Sequence, residues 1–132
     1  MKIVAPLEAP YAEEYFGKFF TKIPNRVLRA VFAAEERERR SGLLLLWVFH
    51  TCFRAWGEIT FAGEVMRCGP GEKITTYRDI SEATGISLGS VGRLLNALKE
   101  QGLIDIIRVP GGSKIRLLAY EPFGIPATKK QE

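Results

Sequence analysis

The stretch from Ile74 to Tyr120, ITTYRDISEATGISLGSVGRLLNALKEQGLIDIIRVPGGSKIRLLAY, constrains the fold more than any other part of the chain. Its opening residues read as a strand. Thr76 is placed to cap a helix, with Asp79 three residues on in a capping-box-like arrangement. Ile80 and Ala83 form a short apolar stripe, and Gly85 closes the helix where a left-handed residue is favoured. Ile86 is the apolar plug of a tight turn, and Ser87 caps a second helix. Along that helix Leu88, Val91, Leu95 and Leu98 recur at 3-4-3 spacing, Leu94 widens the stripe, and Gly102 ends it. Residues 103–109 and 114–119 are β-rich runs around the turn signal Pro110-Gly111-Gly112-Ser113. The spacing therefore predicts helices over 76–84 and 88–101, followed by an antiparallel pair.

A short capped helix, a tight turn and a longer amphipathic helix make a helix-turn-helix, and the trailing hairpin makes it winged. The fold class is mainly α with a small β-wing. At 132 residues the chain has the size of one domain with one core. We expect a flexible arm over 1–10, a single winged-helix domain over 11–120 and a tail over 121–132. Within the domain, 11–56 should supply N-terminal helices, 57–75 a β excursion, and 76–120 the helix-turn-helix and wing.

Upstream, Tyr15, Phe16, Phe19 and Phe20 fall at helical spacing and are expected to pack on the core; the alternative is an anchor for a partner subunit. Pro24 stands where a helix can start, with Leu28, Val31 and Phe32 on its buried side and Val27 on the same flank. The mixed charges from Glu35 to Arg40 read as a solvated helix end, with Arg37, Arg39 and Arg40 on phosphate as the lesser reading. Ser41-Gly42 should break the pattern before a nearly all-apolar helix over 43–56. That helix is too short, and too polar at His50, Thr51 and Arg54, to span a membrane. It is either the hub of the domain or partly the interface of a homodimer. His50 reads as structural and Cys52 as core. Gly69-Pro70-Gly71-Glu72-Lys73 lacks the spacing of a phosphate loop.

Apolar residues make up 46% of the chain and charged ones 26%, ordinary for a soluble domain. The net charge of +4 is unevenly spread: residues 1–42 carry +2, 43–72 carry −1 and 73–132 carry +3. Two cysteines and one histidine at unrelated positions make no zinc set. No cofactor fingerprint or nucleophile–base motif is present, so neither a cofactor nor catalysis is expected. The opening residues carry no long apolar run of a signal peptide, which points to a cytoplasmic protein with free thiols.

The expected partner is double-stranded DNA. In a winged helix the second helix of the motif lies in the major groove. Its outward positions would be Gly89, Ser90, Gly92, Arg93 and Asn96, with Lys99 further along. Arg93 suits guanine O6 and N7, and Asn96 suits adenine or a phosphate. Ser87 and Ser90 at the positive end of the helix suit phosphate oxygens. Thr76, Tyr77 and Arg78 open the helix that crosses the backbone. On the wing, Lys114 and Arg116 alternate with Ile115 and Leu117 and should point away from the core, joined by Arg108. Gly89 and Gly92 leave the reading face smooth, which suits close approach to DNA or, on a rival reading, packing on protein as a non-enzymatic oligomerisation module.

The segments FTKIPNRVL (20–28), TCFRAWG (51–57), ATGIS (83–87) and LKEQGLI (98–104) together resemble the N-terminal winged-helix domain of phage replication protein O. The chain is also similar to winged helices of plasmid and mobile-element replication initiators, over roughly residues 20–108. It differs in inserting FAGEVMRCGPGE and in the glycines of the reading face. The resemblance implies binding to origin repeats or a regulatory site, with the helix from Ser87 to Gln101 as the reader. The chain would act as a transcriptional regulator or a replication-initiation accessory of a bacterium, phage or mobile element.

Overall fold

The computed structural model describes residues 9–17 and 19–121, and in it Thr76 and Ser87 both cap helices. The Thr76 hydroxyl accepts from the Asp79 amide at 3.0 Å and opens α4 (Tyr77–Thr84). Gly85, at φ +78, ends α4 in the left-handed conformation, where a Cβ would be strained. Ser87 accepts from the Ser90 amide and opens α5 (Leu88–Glu100). Both helices lie within a residue of the expected bounds. Between them Ile86 is buried, and its carbonyl accepts from the Ser81 hydroxyl at 2.6 Å, so the turn is tied at both ends.

The wing is tighter than expected. Strands β4 (Ile104–Val109) and β5 (Gly112–Leu117) pair with Val109 opposite Gly112, leaving Pro110-Gly111 as the whole loop. Proline at the first corner and Gly111 at φ +84 at the second suit a type II turn, so β5 starts two residues before the expected Lys114. Glu72–Thr75 forms β3 and pairs with β5, giving a three-stranded antiparallel sheet of order β3-β5-β4. The β excursion thus divides. Its last strand belongs to the wing sheet, and its first part is a separate hairpin of β1 (Gly57–Phe61) and β2 (Glu64–Cys68). The hairpin turn, Ala62-Gly63, rests on the wing: a Cβ on Gly111 would lie 2.6 Å from the Ala62 Cβ, and one on Gly112 2.8 Å from the Phe61 ring.

Three helices precede the hairpin: α1 (Ala9–Phe16), α2 (Asn25–Val31) and α3 (Glu36–Thr51). Ser41-Gly42 does not break α3. Gly42 lies mid-helix, where a Cβ would come within 2.7–2.9 Å of Ala30 and the Val31 amide, so the missing side chain is what lets α2 and α3 touch. The helix stops at Thr51 rather than at 56, and Arg54 folds back to donate to the carbonyls of Phe49, His50 and Cys52. A cation there suits the negative helix end.

Leu44, Val48 and Cys52 from this side meet Ile80, Ile86, Val91, Leu94, Leu95, Leu98, Ile104, Ile115 and Leu117 in one core. This hub position accounts for Leu44 and Val48, with Leu45, Trp47 and Phe49 half-buried against the core, whereas Leu43 and Leu46 line an open cleft with Ile23 and Trp47. Two expectations fail at the N-terminus. Phe16, Phe19 and Phe20 are 68%, 94% and 83% exposed instead of packed, Tyr15 is also exposed, and Leu28 and Phe32 of the α2 region face solvent while Val27 is buried. Leu88 is also exposed, because Ser90 and Val91 supply the first buried turn of α5. The arm expected over 1–10 lies outside the described residues except for Ala9 and Pro10, which open α1; of the tail over 121–132 only Glu121 is described.

Candidate nucleic-acid interface

One stripe of α5 is open to solvent. Gly89, Arg93 and Asn96 are exposed at i, i+4 and i+7, with Lys99 exposed beyond them. The flanks of this stripe are occupied. On one side a Cβ on Gly92 would lie 3.5 Å from the Tyr77 ring, so this glycine faces α4 rather than solvent. On the other side Ser90 is buried, against its expected outward place. Its hydroxyl accepts from Ser87 at 2.9 Å and from the Arg93 guanidinium at 3.2 Å, so it serves the cap and steadies Arg93. Thr76 and Tyr77 are half-buried, and Arg78 is exposed at the start of α4.

The wing cations separate onto two faces. Arg108 is paired in register with Ser113, whereas Lys114 stands opposite Ile107 and Arg116 opposite Asp105. Side chains alternate along a strand, so Arg108 cannot join the other two. It is exposed on the side of the helix-turn-helix, sharing a cleft of about 230 Å³ with Thr76, Tyr77 and Gly111. Lys114 and Arg116 do alternate with buried Ile115 and Leu117, but each already has a carboxylate. Lys114 Nζ is 3.6 Å from Glu72 Oε1, and Arg116 is 3.7 Å from Asp105 Oδ2. The strand spacing gave the alternation; only the cross-strand register reveals the acidic partners.

Away from this face the thiols are quiet. Burial pushes the Cys52 and Cys68 thiols up, so at neutral pH both stay protonated. Tyr120 packs against Phe49 at 6.0 Å between ring centres, and burial together with a hydrogen bond to Cys52 raises it to about 12. This raised value fixes a pH dependence. Near neutral pH both folded and unfolded chains keep the phenol proton. As pH climbs from 10.0 toward about 12, the unfolded chain releases a proton that the fold retains, so stability falls. Urea unfolding across that window should show the decline, and Tyr120→Phe should flatten it; an unchanged slope in the variant would refute the assignment.

Among the described residues, no group of His, Cys, Asp and Glu is placed to hold a metal ion, and no helix is long and apolar enough to cross a membrane. Element order and site geometry define a class: α3, β3, α4, α5 and the β4–β5 wing form a winged helix-turn-helix. A model of the winged helix-turn-helix DNA-binding family matches residues 74–105, from within β3 through α5 to the start of β4. That match supports DNA binding. No curated protein and no solved structure matches the chain.

Proposed function

We propose that the protein binds double-stranded DNA with α5 in the major groove and acts in transcriptional regulation or replication initiation. The supporting observation is the solvent-facing stripe of Gly89, Arg93, Asn96 and Lys99, whose side chains suit base edges and phosphates; the carboxylate on this face, Glu100, stands at the last residue of α5, away from the N-terminal half that enters the groove. Arg78 and Arg108 flank it on the α4 side, where the groove wall would run. The replication reading draws on the resemblance to phage replication protein O, and origin repeats would then be the preferred target. A cytoplasmic setting follows from the same reading, since the target is chromosomal, phage or plasmid DNA.

A second reading, a homo-oligomeric interaction module, is favoured by one observation. Phe19, Phe20 and Phe32 are more than four-fifths exposed, and Leu43, Leu46 and Trp47 of α3 are only half-buried beside Ile23. Fluorescence anisotropy on labelled genomic duplexes separates the two. DNA binding should appear at low salt and weaken steeply, by about 10³–10⁵ between 50 and 200 mM if six to ten phosphates are contacted. A protein that shifts no duplex at low salt would leave the interaction module standing alone.

A further inference from the structure

On the α3 side of the reading helix a second basic group is assembled from residues far apart in sequence. Arg37 and Arg40 lie on the α3 stripe that continues into Leu44 and Val48, at i, i+3, i+7 and i+11. Leu44 and Val48 are fully buried in the core shared with α5. The stripe therefore carries the two arginines over the first turns of α5. There they share a cleft of about 280 Å³ with Glu36, Ser90, Arg93 and Leu94. Arg39, between them in sequence, points elsewhere and donates to the carbonyls of Ala33 and Ala34 at 2.9 and 2.6 Å. Its role is to close the end of the α2 segment.

We propose that Arg37, Arg40 and Arg93 together seat a backbone phosphate of the bound duplex, so that the DNA footprint extends beyond the helix-turn-helix to the first turn of α3. The proposal rests on the DNA-binding reading above. A helix about 10–12 Å across fills a major groove about 12 Å wide, so both phosphate walls run beside its flanks. Tyr77, Arg78 and Arg108 lie by one flank. The other flank, marked by Ser90 and Leu94, is where this cleft opens. Three guanidiniums face one carboxylate in it, and Glu36 is engaged by Arg40. The excess is cationic and suited to the planar, bidentate binding that a phosphate offers. Arg93, already held by the Ser90 hydroxyl, is thereby assigned to the wall of the groove rather than to a base.

The test compares the whole protein with Arg37→Ala/Arg40→Ala and with Glu36→Gln, on a preferred duplex and on a random one, over a range of salt. The arginine variant should weaken both complexes by the same factor and reduce the slope of log affinity against log salt by about 0.9 for each phosphate no longer neutralised. Glu36→Gln removes the competing carboxylate and should tighten both. It also keeps the test decisive should the double variant fold poorly. Wild-type protein that binds while both variants match it would overturn this site and leave the DNA-binding reading intact. A loss confined to the preferred duplex would also overturn it, since phosphate contacts carry no sequence information. Wild-type protein that binds neither duplex would remove the DNA-binding reading and this site with it.

Discussion

Leu95→Ala should lower the free energy of unfolding by about 2–5 kcal/mol, measured by urea titration with an unchanged dependence on denaturant. Leu95 has no exposed surface and lies in the single core where α3, α4, α5 and the wing sheet meet. Its neighbours in that core come from elements fixed by other constraints. Leu44 sits on a helix held against α2 at Gly42, Ile80 on a helix capped at both ends, and Ile115 on the central strand of the sheet. Little of the void can close by relaxation, which is the condition for the upper part of the range. Leu103→Ala makes the comparison, because Leu103 is 44% exposed and its truncation should change stability far less. Similar losses for the two would mean that α5 is not the centre of the core.

The helix-turn-helix was legible because local chemistry specifies it. The Thr76 and Ser87 caps, Gly85 in the left-handed region and the apolar plug at Ile86 each act within five residues of chain. The segment around 42 was not legible for the opposite reason. Ser41-Gly42 has the local look of a break, yet the glycine answers to α2, which packs against it from twelve residues away at Ala30. The same distinction governs the β excursion. Its short β-like runs are readable, but whether Glu72–Thr75 pairs with β2 or with β5 depends on a partner some forty residues on. At the N-terminus, the spacing of Phe19, Phe20, Leu28 and Phe32 suggests burial. In the structure α2 turns Val27 inward and leaves these side chains outside, although Leu45 and Phe49 beside it remain half-buried around an open cleft.

The candidate interface divides in the same way. Arg93, Asn96 and Lys99 stand on the open stripe because helical periodicity alone puts them there. Ser90 is buried because it lies a third of a turn round, toward α3, and periodicity gave no sign that α3 would cover it. The partners of Lys114 and Arg116 could not be read from β5 itself. Glu72 and Asp105 reach them only through the order β3-β5-β4. Arg37 and Arg40 were visible as charges, but their place beside Ser90 follows from a continuous α3, against the local signal of the Ser41-Gly42 pair.

These placements separate three kinds of contact by the response of binding to sequence and to salt. Asn96→Ala should weaken binding to the preferred duplex by about 1–3 kcal/mol and relax discrimination at one base pair, with the salt dependence unchanged. Asn96 is the one exposed side-chain amide on the open stripe, and the Lys99 and Glu100 that follow it cannot supply its paired donor and acceptor. Arg108→Ala should weaken all duplexes alike and make the salt slope shallower by about 1, since its place beside Thr76 and Tyr77 suits a phosphate on the groove wall. Lys114→Ala and Arg116→Ala should do neither. Both cations lie on the opposite face of the sheet, and both are paired with carboxylates, so removing them takes no charge from the interface. Anisotropy with a preferred duplex and its single-base variants reads all four substitutions. If the Lys114 and Arg116 variants lose the affinity and Arg108→Ala keeps it, DNA lies on the outer face of the wing, and α5 is not the reader.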